Sequence, residues 1–552
     1  MGIKPLSALL LSDYNSNRGN IGGMPRKVLY SFLILAFGLS ACAPGPAASQ
    51  ALLSRATPSA QSALATIVAS TLAVTPTRLP ATSTLIPTKT SLPLPSPTLT
   101  STPGPGSPDP ALLHNRPRYT LDVSFSFTDH HGKVSEEINY TNRSSDTLPE
   151  LRLMVELQAY KDLFSMTSLT WGDGQAVEHP AWENTQVRVP LRQPLAPGQS
   201  IQLKMTYEFS LPAQSSLGGE RPLPIGYTSR QANLVDWYPF IPPYRSGQGW
   251  LAHPPAYYGE HLVYDLSDFE VALLLTGARD GLVVAASAPV QADGDALRYT
   301  LDGARNFAFS IGSEYKTSSA QVGDITVTSY YFPLSMAAGE WTLQTTVNAV
   351  KLYQQLFGPY PHKTLAVVEA DFMDGMEYDG LYYLSRGFYN LYSGKPEDYL
   401  TAIAAHETAH QWWFGVVGDD QANEPWMDEA LATYTERIYY EHYFPNSLPW
   451  WWYYRIDYYH PHGWVDTSIY NPQGTLQTYQ DYRNAVYLNG AHFFEDLRQL
   501  MGDEAFFAFL KDYATRYAGQ VALSTDFFSV LRTHTQADLT PVLKKYFNNP
   551  DR

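Results

Sequence analysis

Two histidines flank a glutamate at a spacing that suggests chemistry. His406, Glu407 and His410 form the pattern H-E-x-x-H within residues 396–414, a stretch that we predict to be helical. Residues four apart project from one face of a helix, so both imidazoles can reach one metal ion. The intervening glutamate is then placed to act on a water molecule at that ion. The pattern therefore predicts a hydrolytic metal site.

Such a site needs a third ligand, and Glu429 follows His410 after 18 intervening residues. It lies in the segment E-P-W-M-D-E-A-L-A, in which we expect a second helix to begin at Pro425. Two imidazoles, one carboxylate and an open fourth position are the ligand set that zinc uses in catalytic sites. We therefore predict one Zn²⁺ per chain, held by His406, His410 and Glu429. Glu407 is the expected catalytic base.

The metal pattern and its flanks resemble one peptidase family. H-E-x-x-H, 18 residues and then a glutamate are similar to the gluzincins, the family that contains alanyl aminopeptidases and leukotriene hydrolase. The segments H-Q-W-W-F-G and W-M-D-E-A-L-A also resemble that family, although Ala430 stands where many members have glycine. Many members continue into a C-terminal helical domain, and we expect this chain to be a member without one. The resemblance implies a zinc aminopeptidase.

Two further segments extend the resemblance. D-G-M-E-Y, ending at Tyr378, resembles the family's G-A-M-E-N motif. This implies that Glu377 binds the free amino group of a peptide substrate, and that the backbone of Gly375 and Met376 pairs with the peptide as an added strand. Y-L-N-G resembles the family's Y-x-K-G and implies that Tyr487 hydrogen-bonds the reaction's oxyanion. The alternative for Glu377 is a solvent-exposed charge on a loop, and the alternative for Tyr487 is a tyrosine of the core.

Strand patterns dominate the chain before the metal motif. Apolar and polar residues alternate over residues 119–127 and 201–209, and Pro and Gly turns separate these runs. We therefore expect an N-terminal antiparallel β-sandwich-like domain at residues 114–333. Helical spacing follows, and residues 334–552 are expected to form an α-rich domain with a small sheet, which the family resemblance implies is a thermolysin-like catalytic domain. The predicted fold class is multidomain α+β.

The N-terminal region resembles a bacterial lipoprotein precursor. An apolar stretch at residues 28–37 follows two basic residues and leads to L-S-A-C, which ends at Cys42. We expect residues 1–42 to comprise an upstream extension, with translation from Met24, and a signal peptide cleaved before a lipidated Cys42. Residues 43–113 are rich in Pro, Ser and Thr, which predicts a disordered tether. The expected location is extracytoplasmic, anchored by lipid to the bacterial cell membrane.

The composition of the chain limits the classes of binding partner that we expect. The net charge of −16 comes without clustered Lys and Arg, so no nucleic-acid partner is expected. The expected partners are peptide substrates and the membrane. The sequence does not indicate which oligomeric state the protein adopts. Two competing functions remain, a zinc endopeptidase and a non-catalytic peptide-binding lipoprotein, but a binder has no need of Glu407. The aromatic run at residues 450–454 is expected in the core rather than in a cleft wall.

Overall fold

The computed structural model describes residues 114–214, 224–277, 280–470 and 476–550. The signal-like segment, Cys42 and the tether predicted for residues 43–113 lie outside these ranges. Within them, no helix combines the length and the apolar composition needed to cross a membrane.

Strands make up the first part of the described chain. In chain order they are β1 (Arg118–Ser126), β2 (His131–Thr141), β3 (Leu148–Met154), β4 (Phe164–Trp171), β5 (Ala181–Glu183), β6 (Gln186–Leu195), β7 (Ser200–Ser210), β8 (Gly226–Tyr227), β9 (Gln231–Leu234), β10 (Tyr244–Arg245), β11 (Gly249–Trp250), β12 (Ser267–Thr276), β13 (Val283–Ala286), β14 (Val290–Asp293), β15 (Ala296–Ala304) and β16 (Phe309–Gly312). The largest sheet has the order β14-β15-β12-β1-β2-β7-β4. Smaller sheets have the orders β13-β16-β9-β8, β3-β6-β5 and β10-β11.

The predicted β domain is present, and its pairings are antiparallel with one exception. Strand β1 buries every second residue, as the sequence alternation predicted. It pairs antiparallel with β2 but parallel with β12. Parallel neighbours need a long crossover, and all the strands from β2 to β11 lie between these two in the sequence. No local pattern could have shown this pairing.

Helices and one more sheet make up the second part. The remaining strands are β17 (Lys316–Val322), β18 (Ile325–Tyr331), β19 (Thr364–Ala370), β20 (Gly375–Tyr378) and β21 (Leu381–Ser385), in the sheet order β17-β18-β19-β21-β20. The α-helices are α1 (Met336–Phe357), α2 (Arg386–Leu391), α3 (Tyr399–Ala409), α4 (Glu429–Tyr443), α5 (Leu448–Trp450), α6 (Leu476–Arg483), α7 (Gly490–Met501), α8 (Asp503–Arg516), α9 (Ser524–His534) and α10 (Thr540–Tyr546). Two π-helical turns are Trp451–Ile456 and Asn484–Asn489.

The helix carrying H-E-x-x-H is shorter than the sequence predicted. It covers α3 rather than residues 396–414. The side chain of Asp398 accepts a hydrogen bond from Thr401 N at 2.9 Å, which caps the helix after Pro396 and Glu397. The second predicted helix also begins later than expected. Pro425 begins a single 3₁₀ turn, and α4 itself begins at Glu429.

The five-stranded sheet of the second part uses two strands that precede residue 334, where the sequence pattern placed the domain boundary. Strand β18 pairs parallel with β19, and helix α1 forms the crossover between them. Because β17 and β18 form a hairpin like those of the β domain, their own sequence does not show which sheet they join.

Strand β19 is buried on both faces and so belongs to two cores. Leu365 and Val367 face the helices, whereas Ala366 and Val368 pack into the core of the β domain. Successive strand residues point to opposite faces, so double burial explains why this segment reads as an unbroken apolar run. The two halves of the molecule therefore share a sheet.

A buried arginine also joins the halves. Arg305 follows β15, is 2% exposed, and donates to main-chain carbonyls of both parts. The acceptors are Tyr264 at 3.3 Å, Phe414 at 3.2 Å, Gly415 at 3.2 Å, Val416 at 3.4 Å and Gln520 at 2.8 Å. One side chain therefore provides hydrogen bonds to main-chain carbonyls of both parts of the molecule.

Gly380, in the two-residue turn between β20 and β21, should not tolerate a side chain. Its φ is +72°, and a Cβ there would lie 2.1 Å from the carbonyl oxygen of Ser287. We expect Gly380→Ala to lower the midpoint of thermal unfolding, because backbone strain alone costs about 1–3 kcal/mol and the contact adds to it. Gly294→Ala is the matched control, since φ is +61° there and no atom lies within 4 Å of the added Cβ. Equal losses in both variants would contradict the role of this contact.

Candidate active site

Helices α3 and α4 bring the three predicted metal ligands together. His406 lies in the last turn of α3, His410 caps that helix, and Glu429 begins α4. Glu429 Oε2 is 3.2 Å from His406 Nε2 and 3.5 Å from His410 Nε2. All three side chains are buried, and their ligand atoms lie within 4.8 Å of one another.

A buried glutamate orients the first histidine. Glu436 Oε1 lies 2.9 Å from His406 Nδ1. The same carboxylate accepts hydrogen bonds from Arg455, at 2.9 and 2.7 Å, and from Trp451 Nε1, at 2.9 Å. Burial opposes ionisation of this carboxyl, but the Arg455 guanidinium and His406 together outweigh that effect, and the pKa of Glu436 is lowered. The glutamate is therefore held as a carboxylate.

A second carboxylate orients the other histidine. Asp428 accepts a hydrogen bond from His410 Nδ1. Gln421 Nε2 donates to Asp428 Oδ2 at 2.7 Å and to Glu377 Oε1 at 3.2 Å. The amide of Gln421 therefore links Asp428, which orients His410, to Glu377, which the family resemblance implies binds the substrate's amine.

The residues present fit a zinc ion. Each histidine directs Nδ1 at a carboxylate, which assigns the proton to Nδ1 and leaves the lone pair of Nε2 for a metal. Both Nε2 atoms converge on one oxygen of Glu429. Two neutral imidazoles and one carboxylate, each supported by a hydrogen-bonded partner, match the chemistry of a catalytic zinc site.

Glu407 is buried beside the metal ligands and has a free oxygen. Its Oε2 makes no hydrogen bond within the described structure. A ligand atom of Glu407 lies within 4.8 Å of ligand atoms of both His410 and Glu377. Burial raises the pKa of Glu407 well above its usual range. A carboxyl group with a raised pKa is suited to both take up and release a proton.

Glu377 lies on an open sheet edge next to this group. Among the described strands, β20 pairs with β21 alone, so its other edge can receive a peptide strand. Gln411 fixes the hairpin, because its amide donates to Tyr378 O at 3.0 Å and accepts from Gly380 N at 3.1 Å. Glu377 is 4% exposed, and burial raises its pKa to about 8. It is therefore not a solvated loop charge.

Tyr487 reaches the metal ligands from a π-helical turn. Its phenol donates to Glu429 Oε1 at 2.6 Å, and its ring is only partly buried. Gly490 begins α7 and lets that helix approach α4, since a Cβ there would lie 2.4 Å from Ala430 Cβ. Asn489, which replaces the lysine of the family pattern, instead donates to Gly463 O at 2.8 Å.

Several functional candidates were missed by the sequence analysis. Glu436 lies seven residues after Glu429, two turns along the same helix face, and that spacing was a usable signal. Arg455 carried no signal, because its partner is reached only through tertiary packing.

The aromatic run at residues 450–454 is only partly in the core, where the sequence analysis placed it. Trp451 is fully buried, but Tyr453 and Tyr454 are 55% and 50% exposed.

Comparison with known families identifies the domain that holds this site. Residues 341–546 match the peptidase family M1 domain. The chain carries an M1 peptidase domain. This match confirms the gluzincin resemblance and the predicted class of zinc metallopeptidase. It covers α3, α4 and the turn that carries Tyr487, and therefore all three metal ligands.

Relatives of the M1 domain are aminopeptidases. The chain is 26% identical over 208 residues to aminopeptidase M1-D of Oryza sativa subsp. japonica, which is 35% of this chain and 23% of that protein. It is 29% identical over 139 residues to endoplasmic reticulum aminopeptidase 1 of Mus musculus, which is 24% of this chain and 15% of that protein. The chain thus spans less than a quarter of either relative.

A solved structure shares the fold over most of the described chain. An M1 zinc metallopeptidase from Deinococcus radiodurans superposes with a TM-score of 0.55 at 19% identity, covering 76% of this chain and 90% of that one. The β domain and the M1 domain therefore form a known two-domain arrangement, as the fold class predicted.

Gly375 of the M1 domain should be required for the position of Glu407. A Cβ on Gly375 would lie 2.1 Å from Glu407 Oε1 and 2.9 Å from Ile403 Cγ2. We expect Gly375→Ala to lower kcat about 100-fold, a loss that a 1 Å displacement of a reacting group can cause, with zinc content unchanged. Gly387→Ala in α2 is the control, because its nearest neighbour is 3.2 Å away. An unchanged kcat would show that Glu407 does not need its present position.

Proposed function

We propose that this protein is a zinc-dependent aminopeptidase that removes N-terminal residues from peptides outside the cell membrane. The observation that carries the proposal is the position of Glu377, a buried carboxylate on an open strand edge within 4.8 Å of Glu407 and His410. A carboxylate there forms charge-assisted hydrogen bonds with a free ammonium group. Binding the amine at this distance from the metal ligands places the first peptide bond at the reacting groups.

The residues of the site support a hydrolytic reaction. Zinc held by the two histidines and Glu429 would supply a Lewis acid that polarises the scissile carbonyl. Glu407 accepts the proton of the attacking water and passes it to the departing amine. Tyr487 turns its phenol from Glu429 to the oxyanion of the tetrahedral intermediate and donates a hydrogen bond to it. Strand β20 aligns the peptide backbone.

A pair of peptides that differ only at the N-terminus tests the proposal. We expect the zinc-loaded protein to cleave a free peptide, and its N-acetylated twin about 100-fold less efficiently or worse, because acetylation leaves Glu377 without its cation. Glu407→Gln should lower kcat by roughly 10²–10⁴ and retain zinc, since only the base is lost. Reaction products are measured by mass spectrometry.

The outcomes separate the competing functions. Equal cleavage of both peptides would make the protein an endopeptidase. Zinc binding without cleavage of either peptide would favour the peptide-binding lipoprotein. Activity retained in Glu407→Gln would remove that residue from its assigned role.

We further propose that Cys42 carries a lipid anchor. The support is the sequence alone, in which an apolar stretch leads to L-S-A-C. After expression of the full chain in a bacterial host, we expect the protein to partition into the detergent phase and Cys42→Ala into the aqueous phase. Intact mass measurement of the purified protein should show cleavage before Cys42 and added acyl chains. Equal partitioning of both proteins would contradict the anchor.

A further inference from the structure

A cavity between the two halves of the molecule lies next to the amine-binding position. It includes Glu377 and its neighbours Met376 and Tyr378 but none of the metal ligands. The β domain supplies most of the remaining wall, including Glu156 and Asp236, and Phe414 and Gln421 complete it from the other half. The ammonium group and the first side chain of a peptide are attached to the same carbon atom. If Glu377 binds the ammonium, this cavity lies where the first side chain can enter.

The cavity is lined by an excess of acidic groups. Glu156, Asp236, Glu260 and Glu377 all contribute to its wall, whereas no Lys or Arg does so among the described residues. The wall also contains His261, whose Nε2 lies 3.1 Å from Glu156 Oε2. Glu377 would bind the ammonium group, and Glu156 already contacts His261. A second positive charge is therefore assigned to Asp236, whose side-chain hydrogen bonds come from neutral groups.

Asp236 is the most distinctive of these carboxylates. Its Oδ1 accepts a hydrogen bond from Tyr264 OH at 2.5 Å, and its Oδ2 accepts a weaker one from Tyr378 OH at 3.4 Å. Both donors are neutral phenols, and within the described ranges Asp236 forms no ion pair with Lys or Arg. Its backbone has a φ of +50°, which is strained for a residue other than glycine. Burial raises the pKa of Asp236 to about 6.

We propose that this cavity selects peptides whose first residue is basic, Lys or Arg, and that Asp236 binds the cationic end of that side chain. The proposal rests on the aminopeptidase function given above. Apolar residues of the wall would pack against the methylene groups of the side chain, as long cationic side chains commonly pack. These residues are Ile225, Val235, Leu262, Met376 and Phe414. An acidic first residue would be repelled by the same carboxylates.

Peptides that begin with an uncharged analogue of Arg or Lys provide the test. Peptides with one common sequence begin with Arg, citrulline, Lys or norleucine, and kcat/KM is measured on the full zinc-loaded protein. We expect Arg to exceed citrulline, and Lys to exceed norleucine, by about tenfold or more, because a hydrogen-bonded charge pair is worth at least that factor. Equal values within each pair, with all four peptides cleaved, would overturn the basic preference and leave the aminopeptidase function standing.

Variants of Asp236 locate the selectivity. Asp236→Asn removes the charge but suits the left-handed backbone, because Asn adopts positive φ more readily than most residues. We expect it to bring the ratio of Arg to citrulline close to one, whereas Asp236→Glu should keep part of the preference. Asp122→Asn is the matched control, since Asp122 is an exposed strand residue of the same domain and is absent from the cavity wall. An unchanged ratio in Asp236→Asn would remove that residue from the proposal.

Binding of free amino acids decides the question independently of cleavage. Isothermal titration of the zinc-loaded protein should show L-arginine binding about tenfold more tightly than L-citrulline, and this difference should be lost in Asp236→Asn. If no peptide is cleaved, the aminopeptidase proposal fails, and this comparison still supports or overturns the basic preference of the cavity.

Discussion

The buried carboxylates around the metal position set the constraint on which the rest of the site depends. Glu377, Glu407, Asp428, Glu429 and Glu436 are all buried, and Arg455 is the one guanidinium that pairs with any of them in the described structure. Burying like charges together is unfavourable unless cations compensate them. A divalent metal and the ammonium of the proposed substrate would supply that compensation. The helices, the edge strand and the hydrogen bonds of Gln421 and Arg455 hold the carboxylates in place for it.

The metal ligands and the base could be predicted because their geometry is short-range. His406 and His410 need only one helix to share a face, and Glu429 follows at a spacing typical of one family. Glu436 and Arg455 meet across 19 residues, and Gln421 reaches Glu377 across 44, so their contacts depend on packing that no local pattern encodes. The strands were likewise predictable from alternation. The parallel pairing of β1 with β12 and the sheet to which β17 and β18 belong were not.

The departure of this chain from the family's amine-binding motif has a structural counterpart. Tyr378 replaces the motif's asparagine, and its side chain packs in the core of the β domain rather than beside the metal ligands. Its hydroxyl donates to Asp236, which belongs to the other half of the molecule. The substitution therefore leaves Glu377 in place and changes the wall of the neighbouring cavity. A single position in the motif thus connects the catalytic strand to a residue 142 positions earlier.

The shared faces of strand β19 and the carbonyl contacts of Arg305 have a consequence for how the molecule can change. Separate modules joined by a linker can be exchanged or lost without harm to each other. Here either half, taken alone, would expose a face of the common sheet, and the carbonyls of Phe414 and Gly415 would lose the Arg305 donor. The two halves therefore behave as one structural unit rather than as separable modules.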